Sequence, residues 1–215
     1  AEVNESFDLV RGPLLRTRLL KLDAEHHVFV ITMHHLICDG WSMGIILREL
    51  AELYAAKRQG RAAQLSAPHS FSEYATSQFA RQQSAEMQDA ESYWLNQFTG
   101  PLPSLDLPAN SPRLAVQTYA GAQRRRLLNA DIHPLLKRLG AQQGCTMFMT
   151  LLAAFKVLLH HLTDQNDLIV GIPAAGQLTA EAQNLVGYCV NLLPLRSEVT
   201  PEMRFVALRE NCDVE

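Results

Sequence analysis

The sequence predicts an α/β protein, and three observations carry that expectation. Short apolar runs of strand length recur at residues 14–22, 26–34, 167–172 and 189–199. Longer segments with helical spacing lie between them, as at 42–58 and 146–162. Both kinds of segment occur in each half of the chain, with no internal repeat and no low-complexity tract. Period-2 and period-3.6 patterns mixed along one chain are what sheets packed against helices require.

The elements follow in order. Residues 14–22 (LLRTRLLKL) come after the Gly12-Pro13 breaker and read as a strand. Residues 26–34 (HHVFVITMH) are rich in β-branched residues and read as a second strand. Only the polar Asp23-Ala24-Glu25 separates them, so an antiparallel hairpin is expected. The second run is apolar at both parities, which suggests a sheet covered on each side. Residues 42–58 form an amphipathic helix through Ile46, Leu50 and Leu53, with Ser42 as its expected N-cap. Residues 71–98 are helical with a break at Ser84. Prolines 101, 103, 108 and 112 then mark a boundary. Beyond it a strand is expected at 122–128, helices at 131–143 and 146–162, strands at 167–172 and 189–199, and a helix from about 201.

With 215 residues and 47% hydrophobic content, the chain can bury a sizeable core. A formal charge of −3 gives no basic excess for nucleic acid or an anionic membrane, and Arg124-Arg125-Arg126 reads as a solvated edge. The cysteines at 38, 145, 189 and 212 show neither disulfide-framework nor zinc-knuckle spacing, which suits a reducing cytoplasm. The most apolar segment, 147–159, contains Lys156 and is too short to span a bilayer. The chain does not begin with Met and stops within or just after a helix-like pattern, which suggests a piece of a longer polypeptide.

The chemistry concentrates in His34-His35-Leu36-Ile37-Cys38-Asp39-Gly40, at a strand-to-helix turn. Other His-His pairs occur at 26–27 and 160–161, so the doublet alone says little. Strand alternation would put His34 and His35 on opposite faces, which disfavours joint chelation of a metal. Three readings remain open on the residues alone: core histidines, a metal site sharing Asp39, or an imidazole facing a cavity as a general base. An unperturbed pKa near about 6.5 suits the last role at neutral pH. In that reading His35 faces the cavity and His34 fixes geometry. Asp39 pairs with a buried cation, Arg16 or Arg18. Gly40 admits close backbone approach, and the following helix offers N–H groups to an oxyanion. Cys38 or Ser42 as nucleophile is a weaker alternative, since nothing marks the thiol as acidic and Ser42 is explained as a cap.

Residues 34–42 (HHLICDGWS) resemble the HHxxxDG motif of non-ribosomal peptide synthetase condensation domains. The likeness extends to Phe7-Asp8-Leu9, Gly12-Pro13-Leu14-Leu15-Arg16, Phe71-Ser72-Glu73-Tyr74-Ala75, residues 167–177 (DLIVGIPAAGQ) and 186–196 (VGYCVNLLPLR), in that order. Glu73-Tyr74 stands where Asp-Phe is frequent in the family. The resemblance implies a two-lobed sandwich of the chloramphenicol acetyltransferase-like fold, truncated at both ends. Residues 1–108 would be part of the N-terminal lobe and 109–215 the first part of the C-terminal lobe. It implies amide formation between a donor acyl thioester and an acceptor amine. Both are tethered through phosphopantetheine to upstream and downstream carrier domains, beside an adenylation domain. No cofactor or metal is bound directly, and neither nucleic acid nor membrane is a partner. By the same resemblance His35 is catalytic, with His34, Asp39 and Gly40 completing the motif. Trp41, Ser42 and Asn191 line the substrate tunnel, and Arg16 or Arg18 supports Asp39. The alternatives are another acyltransferase of this fold, ester-forming or acting on a free acceptor, and a non-catalytic recruiting domain.

Overall fold

A computed structural model of the chain describes residues 5–108, 116, 121–178, 182–204 and 207. The element order is β1 (Leu15–Lys21), β2 (His27–Met33), α1 (Gly40–Gln59), α2 (Phe71–Arg81), α3 (Ala85–Gln97), α4 (Ile132–Gln142), α5 (Met147–Thr163), β3 (Asp167–Ala175), a 3-10 turn (Gly176–Leu178) and β4 (Val190–Glu198). The expected α/β mixture is present. The chain divides into two compact units, Ala1–Asp89 with Pro173–Leu192, and Ala90–Ile172 with Leu193–Glu215.

In the first unit β1 and β2 form the expected antiparallel hairpin, with Leu15 opposite Met33 and Lys21 opposite His27. Its coverage differs from the expectation. Leu19 pairs with Phe29 and Leu20 with Val28, so these pairs lie on opposite faces, yet all four are exposed. The hairpin is a two-stranded sheet among the described residues, and these side chains on both of its faces are left exposed. Helix α1 begins at Gly40, with Asp39 rather than Ser42 as its N-cap. The Asp39 carboxylate accepts the Ser42 N–H at 2.8 Å, so the acid is the N-cap and the serine the third helical residue. The helix stops at Gly60, whose left-handed backbone (φ 66°) brings its N–H to the carbonyls of Ala56 and Lys57. Ser70 caps α2 in the same manner, and the break expected at Ser84 separates α2 from α3. A small core joins Ala182, Leu185 and Cys189 to Tyr74.

The second unit centres on α5. Leu152, Ala153 and Leu159 pack with Leu168, Ile172 and Val199, and Leu105, Met149, Leu193 and Leu195 close around them. Thr146 caps α5 by accepting the Met149 N–H at 3.2 Å. Arg196 binds Asp167 through Nε and Nη2 of its guanidinium, at 3.0 and 2.7 Å. It also reaches the carbonyls of Gln97, Thr99 and Pro101, tying the proline-rich connection to the sheet. The strand expected at 122–128 is absent: residues 121–129 carry no ladder, and Arg124, Arg125 and Arg126 are exposed. A segment becomes a strand only where a neighbour accepts its hydrogen bonds. The helix expected from about 201 lies largely outside the described residues. No single helix among those described is long and apolar enough to cross a membrane.

Strands β3 and β4 pair with each other. Gly176 N–H meets the Cys189 carbonyl at 2.9 Å, and Val199 N–H meets the Asn166 carbonyl at 2.8 Å, so one strand advances as the other retreats and the pair is antiparallel.

Candidate active site

Strand β2 ends at Met33, and residues 34–37 turn before α1. His34 N–H still reaches the Leu14 carbonyl at 2.9 Å, and Ile37 N–H closes the turn on the His34 carbonyl at 3.1 Å. Strand alternation therefore does not extend through both histidines, and the turn separates them instead. His34 is half-buried. Its ring stands edge-to-face with Phe7 at 5.7 Å, and its Nδ1 accepts the Leu36 N–H at 3.1 Å. His35 is exposed, edge-to-face with Tyr188 at 5.4 Å. Both imidazoles line a cavity of about 660 Å³ walled by Gly40, Trp41, Ala174, Ala175, Tyr188 and Val190 among others. The one with the freer ring is His35.

Asp39 holds this turn from below. It is 3% exposed and four donors converge on it. Oδ1 accepts Ser42 N–H at 2.8 Å and the Ser42 hydroxyl at 2.7 Å. Oδ2 accepts Gln177 Nε2 at 2.8 Å and Cys189 N–H at 3.1 Å. Burial opposes its ionisation. The bonds from Ser42 N–H, Gln177, the Ser42 hydroxyl and Cys189 N–H outweigh that and hold the carboxyl below its ordinary value. The Ser42 hydroxyl also bridges to Gly187, lying 2.9 Å from its carbonyl and accepting its N–H at 3.0 Å. Having one hydrogen, it donates to Asp39 or to Gly187 at any moment.

Several expected placements change. Asp39 is supported by neutral donors, not by Arg16, whose guanidinium pairs with Glu5 at 3.0 Å and lies 4.0 Å over the Phe7 ring. Arg18 sits further along β1, opposite Val30. The physical reason is that three N–H donors, with the shared Ser42 hydroxyl as a fourth contact, already occupy both carboxylate oxygens. Ser42 is fully buried and belongs to this clamp rather than to the cavity wall. Asn191 lines a different recess of about 500 Å³ with Tyr74, because its neighbour Val190 takes the face toward His35 and strand neighbours point oppositely. The helix start presents neither Ser42 nor Met43 N–H to an oxyanion, since Asp39 takes both, through its side chain and its carbonyl. Trp41 does line the cavity, its indole N–H fixed on the Gln183 carbonyl at 3.0 Å. A Cβ on Gly40 would meet nothing within 4 Å, so this glycine borders open space. Burial pushes the Cys38 thiol up and the neighbouring Asp39 charge adds to this, which leaves it a poor nucleophile. Among the described residues, no group of three His, Cys, Asp or Glu side chains is placed to hold a metal.

Gln177, Gly187 and Tyr188 belong to the site, although sequence alone shows no role for them. Gln177 lies 138 positions from Asp39, and no local pattern announces such a contact. Gly187 offers a clearer signal in retrospect. A Cβ there would collide with the Phe71 ring, so the backbone reaches Ser42 only because the residue is glycine.

A family model described as Condensation domain matches residues 1–212. The chain is 40% identical over 205 residues to a linear gramicidin synthase of Brevibacillus parabrevis, covering 95% of this chain and 4% of that protein. It is 36% identical over 200 residues to phosphinothricin tripeptide synthetase PhsC of Streptomyces viridochromogenes, covering 93% and 18%. Among solved structures, the first condensation domain of the calcium-dependent antibiotic synthetase with a substrate analogue superposes with a TM-score of 0.78 at 28% identity, covering 93% of this chain and 46% of that one. The X-domain from teicoplanin biosynthesis gives 0.82 at 24% identity, covering 98% and 48%, a likeness of fold alone. The chain thus spans about half the length of these solved chains and a small part of the curated relatives. A complete HHxxxDG turn, its clamp and a match along almost the whole sequence make this chain a member of the condensation domain family, built on part of the chloramphenicol acetyltransferase-like fold.

Proposed function

We propose that the protein carrying this chain forms an amide bond between two carrier-tethered substrates, with His35 as the catalytic residue. The observation that carries the reading is the exposed His35 ring at a cavity of about 660 Å³, on a turn fixed by the buried Asp39. The acceptor's amine nitrogen attacks the carbonyl carbon of the donor thioester. The C–N bond forms, the C–S bond breaks, and the donor phosphopantetheine leaves as a thiol that takes up the proton the amine loses. His35 is placed to relay that proton or to orient the amine. A general base typically contributes about 10²–10⁴-fold. An α-amine with a pKa near about 8 is partly neutral at physiological pH, so positioning of the tethered reactants carries much of the rest. His34 and Asp39 hold the turn, while Gly40 and Trp41 border the cavity.

The donor and acceptor groups would arrive on upstream and downstream carrier domains, with an adenylation domain alongside, as the synthetase relatives suggest. A division into part of an N-terminal lobe, 1–108, and the start of a C-terminal lobe, 109–215, belongs to the same proposal. The test is the full-length protein incubated with separately loaded donor and acceptor carriers, read by mass spectrometry of the acceptor arm. A peptidyl thioester on the acceptor carrier is expected. An ester product, or transfer only to a free small acceptor, would overturn the amide reading.

A further inference from the structure

Resting on the reading of His35 as the catalytic group, we infer that Tyr188 is its positioning residue. A catalytic imidazole is ordinarily oriented by a third group, often a carboxylate on its far nitrogen. Here the nearby carboxylate is committed elsewhere: all four donors around Asp39 come from Ser42, Gln177 and Cys189. Among the described residues nothing hydrogen-bonds the His35 ring. Its ring partner is Tyr188, edge-to-face at 5.4 Å and 80°.

Tyr188 is well placed for that task because the clamp that holds the histidine turn also holds its backbone. On one side Gly187 is bonded through N–H and carbonyl to the Ser42 hydroxyl, at 3.0 and 2.9 Å. On the other side Cys189 N–H binds Asp39 at 3.1 Å, and the Cys189 carbonyl accepts Gly176 N–H at 2.9 Å. The histidine turn and the residue facing it are therefore fixed to one carboxylate and one hydroxyl. An edge-to-face pair restricts rotation of the imidazole beside the cavity that both rings line.

The experiment compares Tyr188→Phe, Tyr188→Leu, His35→Ala and the His35→Ala/Tyr188→Leu double variant in the full-length protein with loaded carriers. Tyr188→Phe keeps the ring and is expected to stay within about twofold of wild type, while Tyr188→Leu lowers kcat about 2- to 12-fold with KM nearly unchanged. In the His35→Ala background, Tyr188→Leu should cause no further fall, because its effect passes through His35. A Phe variant as impaired as the Leu variant, a rise in KM alone, or an equal fall without His35 would overturn the inference while leaving the catalytic role of His35 intact. A fully active His35→Ala single variant would overturn that role and the inference with it. Where Tyr188→Leu does not fold, Tyr188→Met takes its place: a fall in kcat that vanishes in the His35→Ala background supports positioning by the ring, and an unchanged kcat refutes it.

Discussion

Asp39 lies where the histidine turn becomes a helix, and its two oxygens divide between local and distant partners. Oδ1 serves Ser42, three residues on, as a helix cap. Oδ2 serves Gln177 and Cys189, 138 and 150 residues away. Asp39→Asn would turn one oxygen into an NH₂ facing two donors. It is expected to cost about 3 kcal/mol, from buried donors left unmet, and urea denaturation would read it. Ser42→Ala removes a smaller part of the network, and about 1–2 kcal/mol is expected. The folded carboxyl lies below its ordinary 3.8, so its stabilisation is complete above that value and is lost as pH falls from there through the lower folded pKa. An acid melt should therefore show a steeper loss below about pH 4 in wild type than in Asp39→Asn. The cap was readable in principle, since Asp ranks with Ser as an N-cap and directly precedes the helix. Its distant partners were not, because nothing near position 39 records what the fold brings from position 177.

At the scale of elements, helices and strands differ in how far their own residues decide them. The α1 and α5 segments carry their period and their caps within themselves, and their limits fall within a few residues of the sequence expectation. Residues 122–128 (AQRRRLL) carry no such period, and without an edge to join they form no strand. The β3–β4 pair shows the complementary case, where one arginine at 196 fastens the sheet to the connection before it. Its fork meets Asp167 and three carbonyls, a pattern that the single point charge of lysine does not reproduce. Arg196→Lys is expected to lower stability by about 1–2 kcal/mol, with the ion pair itself a minor share because both groups are partly solvated. Thermal denaturation against wild type measures this, and an unchanged melting temperature would contradict the assigned role.

Across the whole molecule, apolar surface is left uncovered in each unit. Phe148, Leu151, Phe155, Leu158 and Leu162 recur at three- and four-residue spacing along α5 and are exposed, as are Leu19 and Phe29 on the hairpin. Stripes of this kind mark interaction surfaces or aggregation liabilities. The 215-residue chain alone is therefore expected to bind a hydrophobic dye and to melt with low cooperativity. A sharp melt without dye binding would show those faces to be covered. The proposed chemistry is nonetheless gathered in the first unit, around the imidazole of His35. The decisive measurement is single-turnover product formation by the full-length protein with loaded donor and acceptor carriers, wild type against His35→Ala. Loss of about 10²-fold or more is predicted, with the melting temperature preserved because the ring is exposed; peptidyl product formed at the wild-type rate would contradict the catalytic role of His35.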